Sequence, residues 1–276
     1  MSQSPAHPLV LSLAQWAGTH ALALFIASML GWLLLTWWFW RSVGSYARPR
    51  NTLHAFSWMA LLVRMAIAFA LIVAGAALFT EIAEALHGEQ ALGAMDDAFT
   101  TALAQSVPAA ALQVFAAVTR LGDPATLTVL CAVMAIGLLW RGHRWLAGAW
   151  VASVAGMGLL NASLKLVFSR VRPVHDDGLV QATGFSFPSG HSSVSVVAYG
   201  MLAYLALRLL PRAYHLPVAL AMTLLAGTIG ASRLFLRVHF ASDVAAGFSI
   251  GVVWLACCVA CIELARHWSW WRASKG

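Results

Sequence analysis

Apolar residues run along this chain in blocks rather than in alternation. The blocks cover about residues 21 to 40, 58 to 80, 125 to 140, 145 to 166, 189 to 210, 216 to 236 and 240 to 263. Most approach or exceed the roughly 18 to 20 residues an α-helix needs to cross a bilayer; the block at 125 to 140 is short. In hydrocarbon only helices or closed barrels satisfy the backbone, and these blocks lack the period-2 alternation of barrel strands. The pattern therefore predicts an all-α, polytopic membrane helical bundle of about seven spans. Residues 1 to 20 read as a short polar to mixed tail. They and the first span carry no Lys or Arg, so no cleavable signal peptide is expected. Residues 81 to 124 have a different texture. Glu81, Glu84, Glu89, Asp96 and Asp97 lead into mixed apolar and polar sequence in which Val114, Val118 and Leu121 share one helical face. That predicts one or two amphipathic helices on the membrane surface, ended by the turn Gly122-Asp123-Pro124, where Asp123-Pro124 starts a new helix.

Composition supports the membrane reading. Of 276 residues, 61% are hydrophobic and only 10% charged, against about 25% charged in a soluble domain. The net charge of +7 does not point to nucleic acid, because no basic block with interleaved aromatics occurs. The cations instead sit in short loops, as membrane orientation requires. Arg41, Arg48, Arg50, Arg141, Arg144, Arg208, Arg212, Arg266, Arg272 and Lys275 fall in alternate connections that would be cytoplasmic, whereas nine of the ten acids fall on the other side. This predicts an outside N-terminus and an inside C-terminus. Arg64, near the start of the second span, is expected to snorkel toward the headgroups. The four cysteines, Cys131, Cys257, Cys258 and Cys261, lie inside apolar blocks without neighbouring His or acid, and read as small hydrophobes rather than metal ligands. Gly247-x-x-x-Gly251 reads as a helix-packing site.

Three polar clusters interrupt this frame: Lys165-x6-Arg172-Pro173, Pro188-Ser189-Gly190-His191, and Ser232-Arg233-x5-His239-x3-Asp243. With seven spans, all of them fall at span ends on the outer face. Lys165, Arg172 and Arg233 suit an anionic substrate such as a phosphoryl group, whose oxygens arginine grips with paired hydrogen bonds. They would also stabilise charge on those oxygens in the transition state. Ser189 and Gly190 open a helix, where free N–H groups bind anions and glycine allows close backbone approach. His239 and Asp243, four apart, would share a helical face. The carboxylate accepts Nδ1–H and leaves Nε2 free to attack. His191 would then protonate the leaving oxygen and later deprotonate water. The residues suggest a two-step transfer through a phosphohistidine, with no metal ion and no cofactor.

These three motifs, in this order and spacing, resemble those of the type-2 phosphatidic acid phosphatase superfamily over about residues 60 to 263. The resemblance implies phosphate contacts at Lys165, Arg172, Ser189, Gly190 and Arg233, an acid at His191, and a nucleophile at His239 with Asp243 as its partner. It also implies six core helices, which makes the span at 21 to 40 an addition. The chain is accordingly divided into an N-terminal span and basic loop (1–58), a phosphatase core (59–265, with motifs at 165–173, 188–191 and 232–243) and a basic cytoplasmic tail (266–276). The expected substrate is a lipid phosphate or diphosphate, polyprenyl diphosphate or phospholipid phosphate, in a bacterial inner membrane with the site facing the periplasm. A lipid phosphotransferase using the same phosphohistidine shares the first half-reaction. A non-catalytic membrane anion binder or transporter would need the cations but not the His239–Asp243 pair or His191. Beside the clusters, Arg170 and Arg237 can widen a cationic funnel. Asn161 can orient Lys165 or simply pack. His175, Asp176 and Asp177 read as a solvated loop.

Overall fold

The computed structural model describes residues 8–42, 58–88, 90–173 and 180–273, so His175, Asp176 and Asp177 lie outside the described residues. In chain order the helices are α1 (Pro8–Thr19), α2 (Ala21–Ser42), α3 (Trp58–Gly88), α4 (Gln90–Ser106), α5 (Ala109–Thr119), α6 (Pro124–Trp140), α7 (Arg144–Phe168), α8 (Gly190–Leu209), α9 (His215–Phe235) and α10 (Ala241–Ala273). Single 3-10 turns at Arg120–Gly122 and Arg212–Tyr214 precede α6 and α9. Among the described residues six helices, α2, α3, α7, α8, α9 and α10, are long and apolar enough to cross a membrane. The 17 residues of α6 make it the short apolar helix that the pattern anticipated; at 1.5 Å per residue it covers about 25 Å. Of the acid-bearing segment, Glu81 and Glu84 fall in the end of α3, and the part from Gln90 forms α4 and α5, bent by 116° at the break around Pro108, because proline cannot continue a helix through its own missing N–H.

Three boundaries differ from the sequence pattern. Residues 8–19, expected within a tail, form α1, which lies across α4. Twelve residues are too few to span, so hydropathy gave no signal; the helix is instead held by tertiary packing. At the crossing, Gly18 is indispensable, because a Cβ there would sit 2.5 Å from the Phe99 carbonyl oxygen. The second apolar block continues as helix beyond Thr80 to Gly88, and the last continues beyond the expected end of the core to Ala273.

The bundle centres on α8, which packs against α7, α9 and α10. Its core holds Trp150, Met157, Val197, Met201 and Ile229, all fully enclosed. Gly247 and Gly251 act as the sequence suggested: a Cβ on either would come within 2.8 Å of a backbone oxygen of α8 or its cap, Ser189 for the first and Ser193 for the second. Small residues let these two backbones touch, and the contact brings the start of α10 beside the start of α8. Arg64 does not snorkel. It turns inward and donates from Nη1 to Oε2 of Glu263 at 2.7 Å, tying α3 to α10. A buried carboxylate makes the inward rotamer the better one.

Candidate active site

Each polar cluster occupies a helix end. Lys165 lies in the last turn of α7, which stops at Ser169 in the left-handed conformation (φ 44°). Arg172 follows in the extended segment beyond it. Ser189 is the N-cap of α8, its hydroxyl accepting from the Ser192 N–H at 3.4 Å and the Ser192 hydroxyl at 3.0 Å. Gly190 and His191 form the first turn of that helix, and Arg233 sits in the last turn of α9. Asp243 is in the first turn of α10, whereas His239 precedes that helix by two residues. The expected helical i,i+4 pairing is thus made across a turn, yet the contact forms: Nδ1 lies 3.3 Å from Asp243 Oδ2.

His239 is 2% exposed and Asp243 is fully enclosed. Arg172 donates from Nη1 to Nε2 of His239 at 3.0 Å, so Nε2 carries the lone pair and Nδ1 the proton. Asp243 Oδ2 also accepts from the Ser186 hydroxyl and from the Phe240 N–H at 2.9 Å. Its Oδ1 accepts from Arg170 at 2.7 Å. Burial pushes the His239 imidazole down to about 3, against the pull of Asp243 and helped by the Arg172 and Arg233 charges. At neutral pH the ring is uncharged, as an attacking nitrogen must be.

The three cations have neutral partners. Lys165 donates to the carbonyls of Phe185 and Ser186. Arg172 donates to Val238 O at 2.6 Å, to Gly184 O at 3.0 Å and to the carbonyls of Thr183 and Phe185 at 3.2 Å. Arg233, 3% exposed, donates to the Thr119 hydroxyl at 3.0 Å, and its Nε is buried without a partner. Among the described residues no carboxylate forms an ion pair with any of the three. Cations converging on the buried His239 and the partly buried His191 can receive a small polyanion.

Several participants carry no sequence signal. Asp123, read only as a helix start, is the N-cap of α6 but makes no side-chain cap; its Oδ1 instead lies 2.9 Å from His191 Nε2, 68 positions away. Asp96, Ser186 and Thr119 join the network from elements that no motif marks. Arg170 is not a free funnel cation, because it pairs with both Asp243 and Asp96. Asn161 does not hold Lys165; it is buried and donates to Pro188 O and Ser193 Oγ, binding α7 to the start of α8. Only tertiary contact could reveal these roles.

Known proteins resemble the chain in sequence and in fold. Residues 146–267 match the PAP2 superfamily. The chain is 33% identical over 178 residues to phosphatidylglycerophosphatase B of Bacillus subtilis, an alignment covering 63% of this chain and 86% of that protein. It is 33% identical over 116 residues to the lipid A 1-phosphatase of Rhizobium etli, covering 39% of this chain and 46% of that protein. The crystal structure of a transmembrane PAP2-type phosphatidylglycerolphosphate phosphatase from Bacillus subtilis superposes with a TM-score of 0.64 at 30% identity, over 70% of this chain and 96% of the other. With the three motifs gathered in one site at the ends of an apolar helical bundle, the chain belongs to the PAP2 superfamily, as a multi-pass membrane phosphatase.

Proposed function

We propose that this protein hydrolyses a phosphate monoester or diphosphate borne by a membrane lipid, through a phosphohistidine at His239 and without a metal ion. The observation that carries the reading is the buried His239–Asp243 pair, with its Nε2 lone pair directed at Arg172, beside two further cations with which, among the described residues, no carboxylate pairs. An arriving phosphoryl group takes Arg172 from Nε2 and is held by Lys165, Arg172 and Arg233, with Ser189 and Gly190 at the start of α8 behind it. Nε2 attacks phosphorus in line, and the bond from phosphorus to the lipid oxygen breaks. That oxygen takes a proton from His191, whose imidazolium Asp123 stabilises. Neutral His191 then removes a proton from water, the water oxygen bonds to phosphorus, and the N–P bond breaks to release inorganic phosphate. Asp243 keeps the His239 tautomer fixed in both steps and offsets the positive charge that develops on the ring.

The lengths of chain shared with the Bacillus subtilis relatives make phosphatidylglycerol phosphate the first substrate to test, ahead of a polyprenyl diphosphate. Charge asymmetry of the connecting segments favours a periplasmic site in an inner membrane. Detergent-purified protein given phosphatidylglycerol phosphate in excess EDTA should release inorganic phosphate. The variant His239→Gln should release roughly 10⁴-fold less, the scale expected for loss of a nucleophile. Full turnover by His239→Gln would overturn the mechanism, and loss of wild-type turnover in EDTA would overturn its metal independence.

A further inference from the structure

Asp96 lies in α4, outside residues 146–267 that match the family and far from every motif. Its carboxylate is nevertheless 4% exposed. Oδ2 accepts from Arg170 Nη2 at 2.8 Å and from the Ser242 hydroxyl, and Oδ1 accepts from the Ser242 N–H at 3.2 Å. Ser242 is the second residue of α10, so Asp96 caps that helix from outside while Asp243 reaches back to the Phe240 N–H. Together they satisfy two orphan donors of the first turn, as the two side chains of a capping box do within one chain segment. Arg170 spans both carboxylates: Nη2 faces Asp96, and Nη1 donates to Asp243 Oδ1 and to Ser242 Oγ, each at 2.7 Å. Its guanidinium carbon lies 4.3 Å from the centre of the Phe240 ring, which limits its rotation.

We infer that Asp96 and Arg170 are positioning residues for the nucleophile, clamping Asp243 and the first turn of α10 so that His239 keeps Nδ1–H on the carboxylate and Nε2 toward the phosphate. The inference rests on His239 being the nucleophile. Its physical content is geometric and electrostatic. Asp243 accepts from four donors, and a carboxylate held by several fixed donors cannot swing away from the imidazole. One guanidinium shared by two carboxylates leaves a net negative charge behind a neutral ring, which favours the cationic ring that attack creates. Facing the same pair from the other elements are Lys165 of α7, Arg172 beyond it and Arg233 of α9, with the neutral Ser186 hydroxyl from the loop before α8. Removing Asp96 would let Arg170 draw wholly on Asp243 and oppose that charge. The N-terminal α1, packed on α4 through Gly18, thereby braces the catalytic carboxylate from a part of the chain that holds no motif.

The test uses full-length protein, phosphatidylglycerol phosphate in mixed micelles and rapid-quench measurement of the phosphorylated enzyme. Asp96→Asn should lower kcat and the rate of phosphoenzyme formation about tenfold with KM within about twofold, and Arg170→Gln should lower them roughly a hundredfold, since both act on the step and not on the bound phosphate. Asp96→Asn should cost less in the Arg170→Gln background than in the wild type, because the part of its effect that passes through that guanidinium is already lost and only its direct hold on Ser242 remains. Ser242→Ala, which removes only the hydroxyl joining the two, provides a milder variant, with a few-fold loss expected, should Asp96→Asn fail to fold. Rates are taken per folded protein by thermal unfolding in detergent. Unchanged kcat in Asp96→Asn, or in Ser242→Ala if it must serve, would overturn the inference, as would additive losses in the double variant. If His239→Gln remains active, the proposed function itself fails, which is a separate result.

Discussion

The two ends of the bundle each hold a cluster of arginines, and they are built in opposite ways. At one end Glu263, 2% exposed, accepts from Arg64 at 2.7 Å, Arg266 at 3.1 Å, the Tyr204 hydroxyl at 2.6 Å and Arg208. The carboxylate is the centre and the cations surround it, so the cluster joins α3, α8 and α10. At the other end, among the described residues, no carboxylate pairs with Lys165, Arg172 or Arg233. The acids there are occupied elsewhere, Asp243 and Asp96 with Arg170 and Asp123 with His191. Charge placed around a buried counterion holds helices together; charge held without one is poised for a ligand that supplies it. Number of arginines therefore says little about function, whereas the location of the acids says much.

Among changes that separate the two ends, the largest effect should come from Arg233→Gln. Loss of one donor to the developing phosphoryl charge should lower kcat/KM by roughly 10² to 10³, with no loss of thermal stability, since an uncompensated buried cation is removed. A sharp fall in melting temperature with kcat/KM intact would erase the contrast between the two ends. Next in size, Glu263→Gln should cost about 2 kcal/mol of stability: removing one partner of a buried pair is costly, but its arginines are partly solvated and screened. Its kcat per folded protein should stay within about twofold, and a large kcat defect would show that the far end communicates with the site. A further effect is expected in pH dependence. His239 is held near 3 by burial, whereas an unfolded histidine titrates near about 6.5. Below that value the unfolded chain binds a proton that the folded site refuses. The stability contribution of the neutral ring is complete above about 6.5 and is lost as pH falls toward 3. Thermal unfolding between pH 7 and 4 should show a shallower decline in His239→Gln than in wild type; parallel declines would show that the buried neutral ring contributes none of the acid sensitivity.

Length and hydropathy were enough to read the spanning helices, because a segment that must satisfy its own backbone in hydrocarbon announces itself by an unbroken apolar run. They were not enough for α1, whose 12 residues are too few to span and pack on α4. They also misplaced Arg64, since a cation near a span end looks the same whether it meets headgroups or a buried Glu263 from 199 positions away. The motif residues could be read as a group because their spacing along helix ends puts them on one side. What each is bonded to could not.

By itself the sequence determined an all-helical membrane bundle and the chemistry gathered at one end, three cations, two imidazoles and a carboxylate. Local rules suffice for that: apolar run length sets the spans, and the span ends set which side each cluster faces. The tertiary structure alone decided which acids neutralise which cations. It sent Asp123 to His191, Asp96 and Asp243 to Arg170, and Glu263 to the far arginines, and among the described residues it paired no carboxylate with Lys165, Arg172 or Arg233. Ion pairing depends on distances between helices remote in sequence, and no periodicity along the chain encodes them.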